Sequence, residues 1–187
     1  MAEMKVLAVT GYRPMEINIF NENDEKIKFV KRAIEKRLLQ FIDTGLEWII
    51  VSGQMGVEMW TAEVVLELKD TYDINLAIIP PFLNQAKRWP EAIQYKYEEL
   101  LLVADFYEPI YQDEYKGPYQ FQAKDLWLIE KSDACLLLLD EENPGSVQYF
   151  KEKAMAARNY PIYTITPFDL EEVVLEMQME DPSYWAD

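Results

Sequence analysis

Residues 47–60 read Glu47-Trp48-Ile49-Ile50-Val51-Ser52-Gly53-Gln54-Met55-Gly56-Val57-Glu58-Met59-Trp60. An apolar, β-branched run ends at Ser52 and two glycines follow. A helical pattern then begins, in which Val57, Trp60, Val64, Val65 and Leu68 share a face. Strand, glycine turn and helix in that order make the repeating unit of a parallel sheet covered by helices. The unit recurs on both sides. Toward the start, the strand-like run Lys5–Thr10 leads through Gly11-Tyr12-Arg13-Pro14 to a helix over about Asp24–Ile42. Its buried stripe is Ile27, Val30, Ile34, Leu38 and Phe41, with Asp24 as cap and Gly45 past its end. Toward the end, a strand at Asn75–Pro80 precedes a helix near Trp89–Ala104 and a short extended piece, Phe106–Tyr111. A helix over Tyr119–Lys131, the wholly apolar strand Ala134–Leu139 and the loop Asp140–Ser146 come next. A helix to about Arg158, a strand at Pro161–Ile165 and an acidic helix from Asp169 complete the chain. The expectation is an α/β three-layer sandwich with a mostly parallel central sheet, one domain over 1–187, and an acidic tail that frays from about residue 180.

With 187 residues, half of them hydrophobic, the chain is long enough for one full core and short for two. Its longest apolar run, Ala134–Leu139, falls far below the roughly 20 residues of a membrane span. No basic stretch followed by a long apolar run stands at the start, so no signal peptide is expected, and the cytosol is the expected compartment. There is no histidine, and Cys135, inside that apolar run, is the single cysteine. Ser-His-Asp and Cys-His catalysis are thereby excluded, and so are an internal disulfide and most zinc and iron sites. Cys135 reads as a small buried hydrophobe, and no metal site is expected. The net charge of −16 opposes broad binding to nucleic acid, although a local basic patch remains compatible with it.

Ligands of open parallel sheets sit beyond the carboxyl ends of the strands, and three loops leave such ends here. In the first, Thr10 and Gly11 allow close backbone approach and Arg13 offers a planar fork to a phosphate; a turn with a solvated arginine is the alternative. In the second, Ser52, Gly53, Gln54 and Gly56 expose N–H groups at a helix start, where an anion is favoured. Glu58 in the first turn either grips ribose hydroxyls or complements the helix dipole. This segment lacks both the P-loop ending and the G-x-G-x-x-G fingerprint. In the third, Gly145 and Ser146 either present N–H groups and a hydroxyl to a phosphate or form an ordinary cap, while Asp140, Glu141 and Glu142 either hold a divalent cation or are solvated. Trp89, after Lys87-Arg88, either stacks a base or shapes the start of a helix. Trp60 and Trp127 fit core positions.

The segments Val9–Pro14 and 47–60, together with Lys131-Ser132-Asp133 leading into the apolar strand, resemble the YpsA-like family of Gram-positive bacteria. That family is a branch of the SLOG superfamily, which also holds the DprA DNA-processing proteins and the Lonely guy phosphoribohydrolases. The resemblance covers nearly the whole chain. It implies a Rossmann-like fold and a regulatory site for a nucleotide or nucleotide-derived ligand, related to ADP-ribose, with Gly53, Gly56 and Glu58 at the glycine-rich loop. It also implies a link to cell division. The phosphoribohydrolase loop Pro-Gly-Gly-x-Gly-Thr-x-x-Glu is absent; residues 143–150 read Asn-Pro-Gly-Ser-Val-Gln-Tyr-Phe. The leading expectation is therefore a ligand-sensing module for a nucleotide-like small molecule. Two alternatives stay open: a nucleotide N-glycosidase or phosphoribohydrolase with Glu58 as catalytic residue, and an acidic module that binds a basic protein partner.

Overall fold

The apolar runs pair as six parallel strands: β1 (Val6–Thr10), β2 (Trp48–Val51), β3 (Asn75–Ile78), β4 (Phe106–Tyr107), β5 (Ala134–Leu138) and β6 (Ile162–Ile165). A computed structural model describes residues 3–185. The order across the sheet is β4-β3-β2-β1-β5-β6, so the chain winds outward from β1 to β4 and then crosses back to lay β5 on the other side of β1. All five pairings are parallel, and the registers Val51↔Ile78 and Thr10↔Leu137 bring the carboxyl ends of β1, β2, β3 and β5 to one edge. The fold is the Rossmann-like α/β arrangement.

Six helices cover the sheet: α1 (Lys26–Asp43), α2 (Val57–Leu68), α3 (Glu91–Val103), α4 (Tyr119–Lys131), α5 (Val147–Ala156) and α6 (Pro167–Glu180). α1 packs on α2 and α6, whereas α4 packs on α5 and on β1. This is the two-layer division produced when right-handed crossovers reverse direction at β1. β5 is buried along its whole length, as a central strand covered on both faces must be. α2 departs from the one-faced pattern read in the sequence. It sits between α1, α3 and the sheet, and so buries Glu58, Met59, Thr61 and Ala62 as well as the apolar stripe.

Local chemistry explains where elements begin and end. The Asp24 carboxylate accepts from Lys26 N (2.9 Å) at the start of α1. α3 begins at Glu91 rather than Trp89 because Pro90, its N-cap residue, has a non-helical ψ of 143°. The extended piece after α3 is a strand only at Phe106–Tyr107: Glu108 N and Ile110 N still donate to Ile78 O (3.3 Å) and Pro80 O (2.8 Å), but Pro80 and Pro81 beyond β3 have no N–H to return the ladder. α6 starts two residues before Asp169. Thr166 and Asp169 form a capping box, with Asp169 N donating to Thr166 Oγ1 (3.3 Å) and Thr166 N to Asp169 Oδ2 (2.8 Å). The Asp133 carboxylate accepts from the N–H groups of Lys5 and Val6 (both 2.9 Å), tying the starts of β5 and β1 together. In the tail expected to fray, Pro182–Trp185 form a turn of 3-10 helix, and Trp185 Nε1 donates to Met179 O (2.9 Å). Met1, Ala2, Ala186 and Asp187 lie outside the described residues. No described helix is long and apolar enough to cross a membrane.

Candidate functional site

A cleft of about 380 Å³ opens beyond the ends of β1, β2 and β5, where the winding reverses. Thr10, Gly11 and Arg13 from the first loop, Ser52, Gln54 and Glu58 from the second, and Ser146 from the third all line it. A second hollow of about 470 Å³ adjoins it and contains Trp89, Arg88, Asn84 and Tyr115. The two share Arg13, Gln54, Gln85 and Phe121 as a common saddle. Both volumes fall in the range of small-molecule sites.

Glu58 is almost fully buried at the floor of the first lobe. One carboxylate oxygen accepts from Ser52 N (2.6 Å) and Ser52 Oγ (2.7 Å), and the other from Thr10 Oγ1 (3.4 Å). Burial pushes its carboxyl above the ordinary range; the Lys124 charge and the two Ser52 donors oppose that without cancelling it. Gln85 braces the same loop from below, its Nε2 donating to Ser52 O (2.8 Å) and Tyr97 Oη (3.0 Å). On the opposite wall α4 and α5 contribute Lys124 and Lys153, whose Nζ atoms lie 2.7 and 3.2 Å from the buried Asp125 carboxylate. Together with Arg13 these lysines line the first lobe with three cations against the two carboxylates Glu58 and Asp125. The chain of net charge −16 thus gathers three cations at the sheet edge where parallel sheets take ligands, the two lysines paired with Asp125 and Arg13 4.0 Å from Glu16.

Gly11 lines the first lobe, whereas Gly53, Gly56 and Gly145 shape its walls from behind. Gly53 has φ +82°, and a Cβ there would stand 2.9 Å from both Ile78 and the Tyr97 ring. Gly56 has φ +99°, with Tyr12 O only 2.4 Å from where its Cβ would be, so the first and second loops touch through it. Gly145 packs beside Tyr12 and Glu16. Trp89 stands edge-on to Tyr97 (centroids 5.2 Å apart) in the second lobe. Among the acids of the third loop, Asp140 accepts from Glu142 N and Asn143 Nδ2 (both 3.0 Å) and Glu141 pairs with Lys151. No group of three or more metal-ligating side chains occurs among the described residues.

The start of α5 already holds an anion of the protein's own. Glu16, on the 3-10 turn Pro14–Ile17, accepts from Ser146 N (2.9 Å), Ser146 Oγ (2.8 Å) and Arg13 N (2.8 Å). Burial raises the Glu16 carboxyl, but those donors outweigh it and hold the group below its ordinary value. Tyr12, buried beside it, donates from its hydroxyl to Asn143 O (2.7 Å) and accepts from Asp140 N (2.8 Å), joining the first and third loops.

Sequence reasoning missed Tyr12, Gln85, Phe121, Lys124, Asp125 and Lys153 as parts of this edge. For one of them a signal existed. Asp125 stands three and four residues before the buried Leu128 and Ile129, so the helical stripe of α4 carries a carboxylate inward. The others come from loops or exposed helix turns, where periodicity says nothing.

A family model described as "YspA SLOG family" (YpsA) matches residues 7–170. A UPF0398 protein of Oceanobacillus iheyensis is 58% identical over 183 residues, covering 97% of this chain and 100% of its own. The UPF0398 protein YpsA of Bacillus subtilis is 45% identical over 177 residues, 92% of this chain and 98% of that protein. Among solved structures, DNA processing protein A from Helicobacter pylori, titled for its single-stranded DNA binding mode, aligns with a TM-score of 0.57. The alignment covers 95% of this chain and 82% of that one. At 12% identity this likeness shows the fold alone.

Proposed function

The chain belongs to the YpsA family of SLOG proteins, and on that footing we propose that it senses a nucleotide-derived ligand of the ADP-ribose kind in the two-lobed cleft. The observation that carries this reading is the shared saddle. Arg13, half-exposed and 4.0 Å from Glu16, stands where the lobes meet. A diphosphate at Arg13 would leave each lobe to take one end of the ligand. Phe121 and Tyr149 offer ring faces in the first lobe, and Trp89 and Tyr115 in the second. The cations supply the charge complement for phosphate oxygens.

Binding without turnover suits the carboxylates. Glu58 is held by two donors of Ser52, and Asp125 is clamped between two lysines, so each is engaged before any ligand arrives. The ribose role foreseen for Glu58 thus becomes mainly that of a brace for the loop that contacts the ligand. The cell-division link implied by the family resemblance is the context in which such a sensor would act. The net charge favours a compact anion over a long phosphate backbone, so single-stranded nucleic acid is not the partner proposed here.

The test is a thermal-shift panel of AMP, ADP, NAD and ADP-ribose. At about 100 times the dissociation constant a true ligand stabilises by roughly 2.7 kcal/mol, a shift on the order of 5–10 °C for this size. The two-lobed ligands should outperform AMP, and Arg13→Ala should lose most of the shift. No shift from any of them with folded wild-type protein refutes the reading, and steady release of free base would replace it with hydrolysis.

A further inference from the structure

α6 is apolar on two opposite faces. Leu170, Val173 and Met177 face inward and pack on the core. On the other side, at helical spacing, Phe168, Leu175 and Met179 are 66%, 58% and 58% exposed. This outer stripe spans about 16 Å, three helical turns. It borders an apolar groove of about 490 Å³ between α6 and the start of α1, floored by Ile17, Phe29 and Val174. Large side chains exposed in a continuous band mark an interaction surface more often than scattered ones do.

Charge identifies the occupant. Within Pro167–Glu180 there are five acidic residues and no basic one. Glu176 reaches Lys36 of α1 (2.9 Å) and Glu180 approaches Arg32 (3.9 Å), whereas Glu171 and Glu172 stand exposed beside the stripe. A second copy docked through the same face would set this acidic helix against itself, and like charges across an interface are strongly disfavoured. An anionic membrane surface would be repelled for the same reason. We propose that the outer face of α6, with the groove beside α1, docks a basic amphipathic helix of a partner protein. Its apolar anchors would cover Phe168, Leu175 and Met179, and its Lys or Arg residues would meet Glu171 and Glu172. This surface shares no lining residue with the ligand cleft and does not depend on it.

The test uses a fluorescein-labelled Leu/Lys peptide with helical periodicity, matched to the 14 residues of α6. Anisotropy is followed at about 0.15 M salt, where long-range attraction is screened. Three controls accompany it: a Leu/Glu peptide of the same pattern, a Leu/Lys peptide with the period scrambled, and the double variant Leu175→Ser, Met179→Ser, whose charge is unchanged. The periodic basic peptide should bind saturably, and the double variant, folded as judged by its unfolding curve, should bind about tenfold or more weakly. The acidic and scrambled peptides should not compete. Equal binding to the variant, equal binding of the scrambled peptide, or no binding overturns the proposal. So does a concentration-dependent dimer in sedimentation that the double variant abolishes, which would make a second copy the occupant.

Discussion

Replacing Glu58 separates its two possible roles, because the carboxylate is an acceptor for the fold before it is anything for a ligand. In Glu58→Ala the N–H and hydroxyl of Ser52 and the hydroxyl of Thr10 lose their acceptors inside the protein. The Ser52 N–H cannot turn toward another acceptor. Leaving such buried donors unmet costs about 1–3 kcal/mol each, and because the hydroxyls can rotate, about 3 kcal/mol in all is the working figure. At about 2.1 cal/mol/K per residue of unfolding entropy, the 187 residues turn that into a fall in Tm of about 8 °C. Glu58→Gln keeps one acceptor oxygen for Ser52 and offers an N–H to Thr10, so it should lie within about 1 kcal/mol of wild type at neutral pH. Because burial raises the Glu58 carboxyl above 4.5, the folded protein keeps that proton to higher pH than the unfolded chain. The contribution is fully present below pH 4.5 and is lost as pH climbs through the raised value, so wild type weakens there while the glutamine variant does not. Urea unfolding at a series of pH values from 4 to 8 measures both effects. A loss below about 1 kcal/mol in Glu58→Ala, or an equal loss in Glu58→Gln, would refute the acceptor argument.

Further outcomes follow from the same packing. Gly56→Ala, which forces a Cβ to 2.4 Å from Tyr12 O at φ +99°, should destabilise the unliganded protein by more than about 2 kcal/mol, read from the urea midpoint. Its effect on ligand binding is therefore interpretable only beside Arg13→Ala. Burial pushes the Cys135 thiol up to about 12, so a thiol reagent at pH 8 should leave it unmodified in native protein and label it fully in urea. Labelling at native rates would contradict the packing of β5. A fluorescent single-stranded oligonucleotide at about 0.15 M salt should give no saturable polarisation change; a salt-sensitive, sub-micromolar complex would overturn the charge argument.

The strands were legible because a central parallel strand must be apolar on both faces, which Ala134–Leu139 announces by itself. The meeting of the three loops was legible too, because the strand–glycine–helix order places their ends at one edge. The roles of the glycines were not. Whether Gly53 faces a ligand or the Tyr97 ring depends on how α3 packs, which is a tertiary fact with no local trace. Nor does the sequence between Gly117 and Lys131 say that α4 returns over β1 to set Lys124 and Asp125 opposite Glu58, since that follows from the crossover after β4. The start of α6 lies two residues before the expected Asp169, because Thr166 is the cap and Asp169 its third-residue partner in a capping box.

The Glu16 carboxylate at the start of α5 has a bearing on selectivity. Being covalently attached, it competes with any incoming anion at the effective concentration of a tethered group, on the order of millimolar or higher for a short connection. A small free anion that enters this helix start merely exchanges one negative charge for another, and gains little for the exchange. A larger molecule can overcome the resident carboxylate only by adding contacts elsewhere in the two lobes. For the ligand proposed above, the loop would thereby disfavour inorganic phosphate without any residue that recognises phosphate and rejects it.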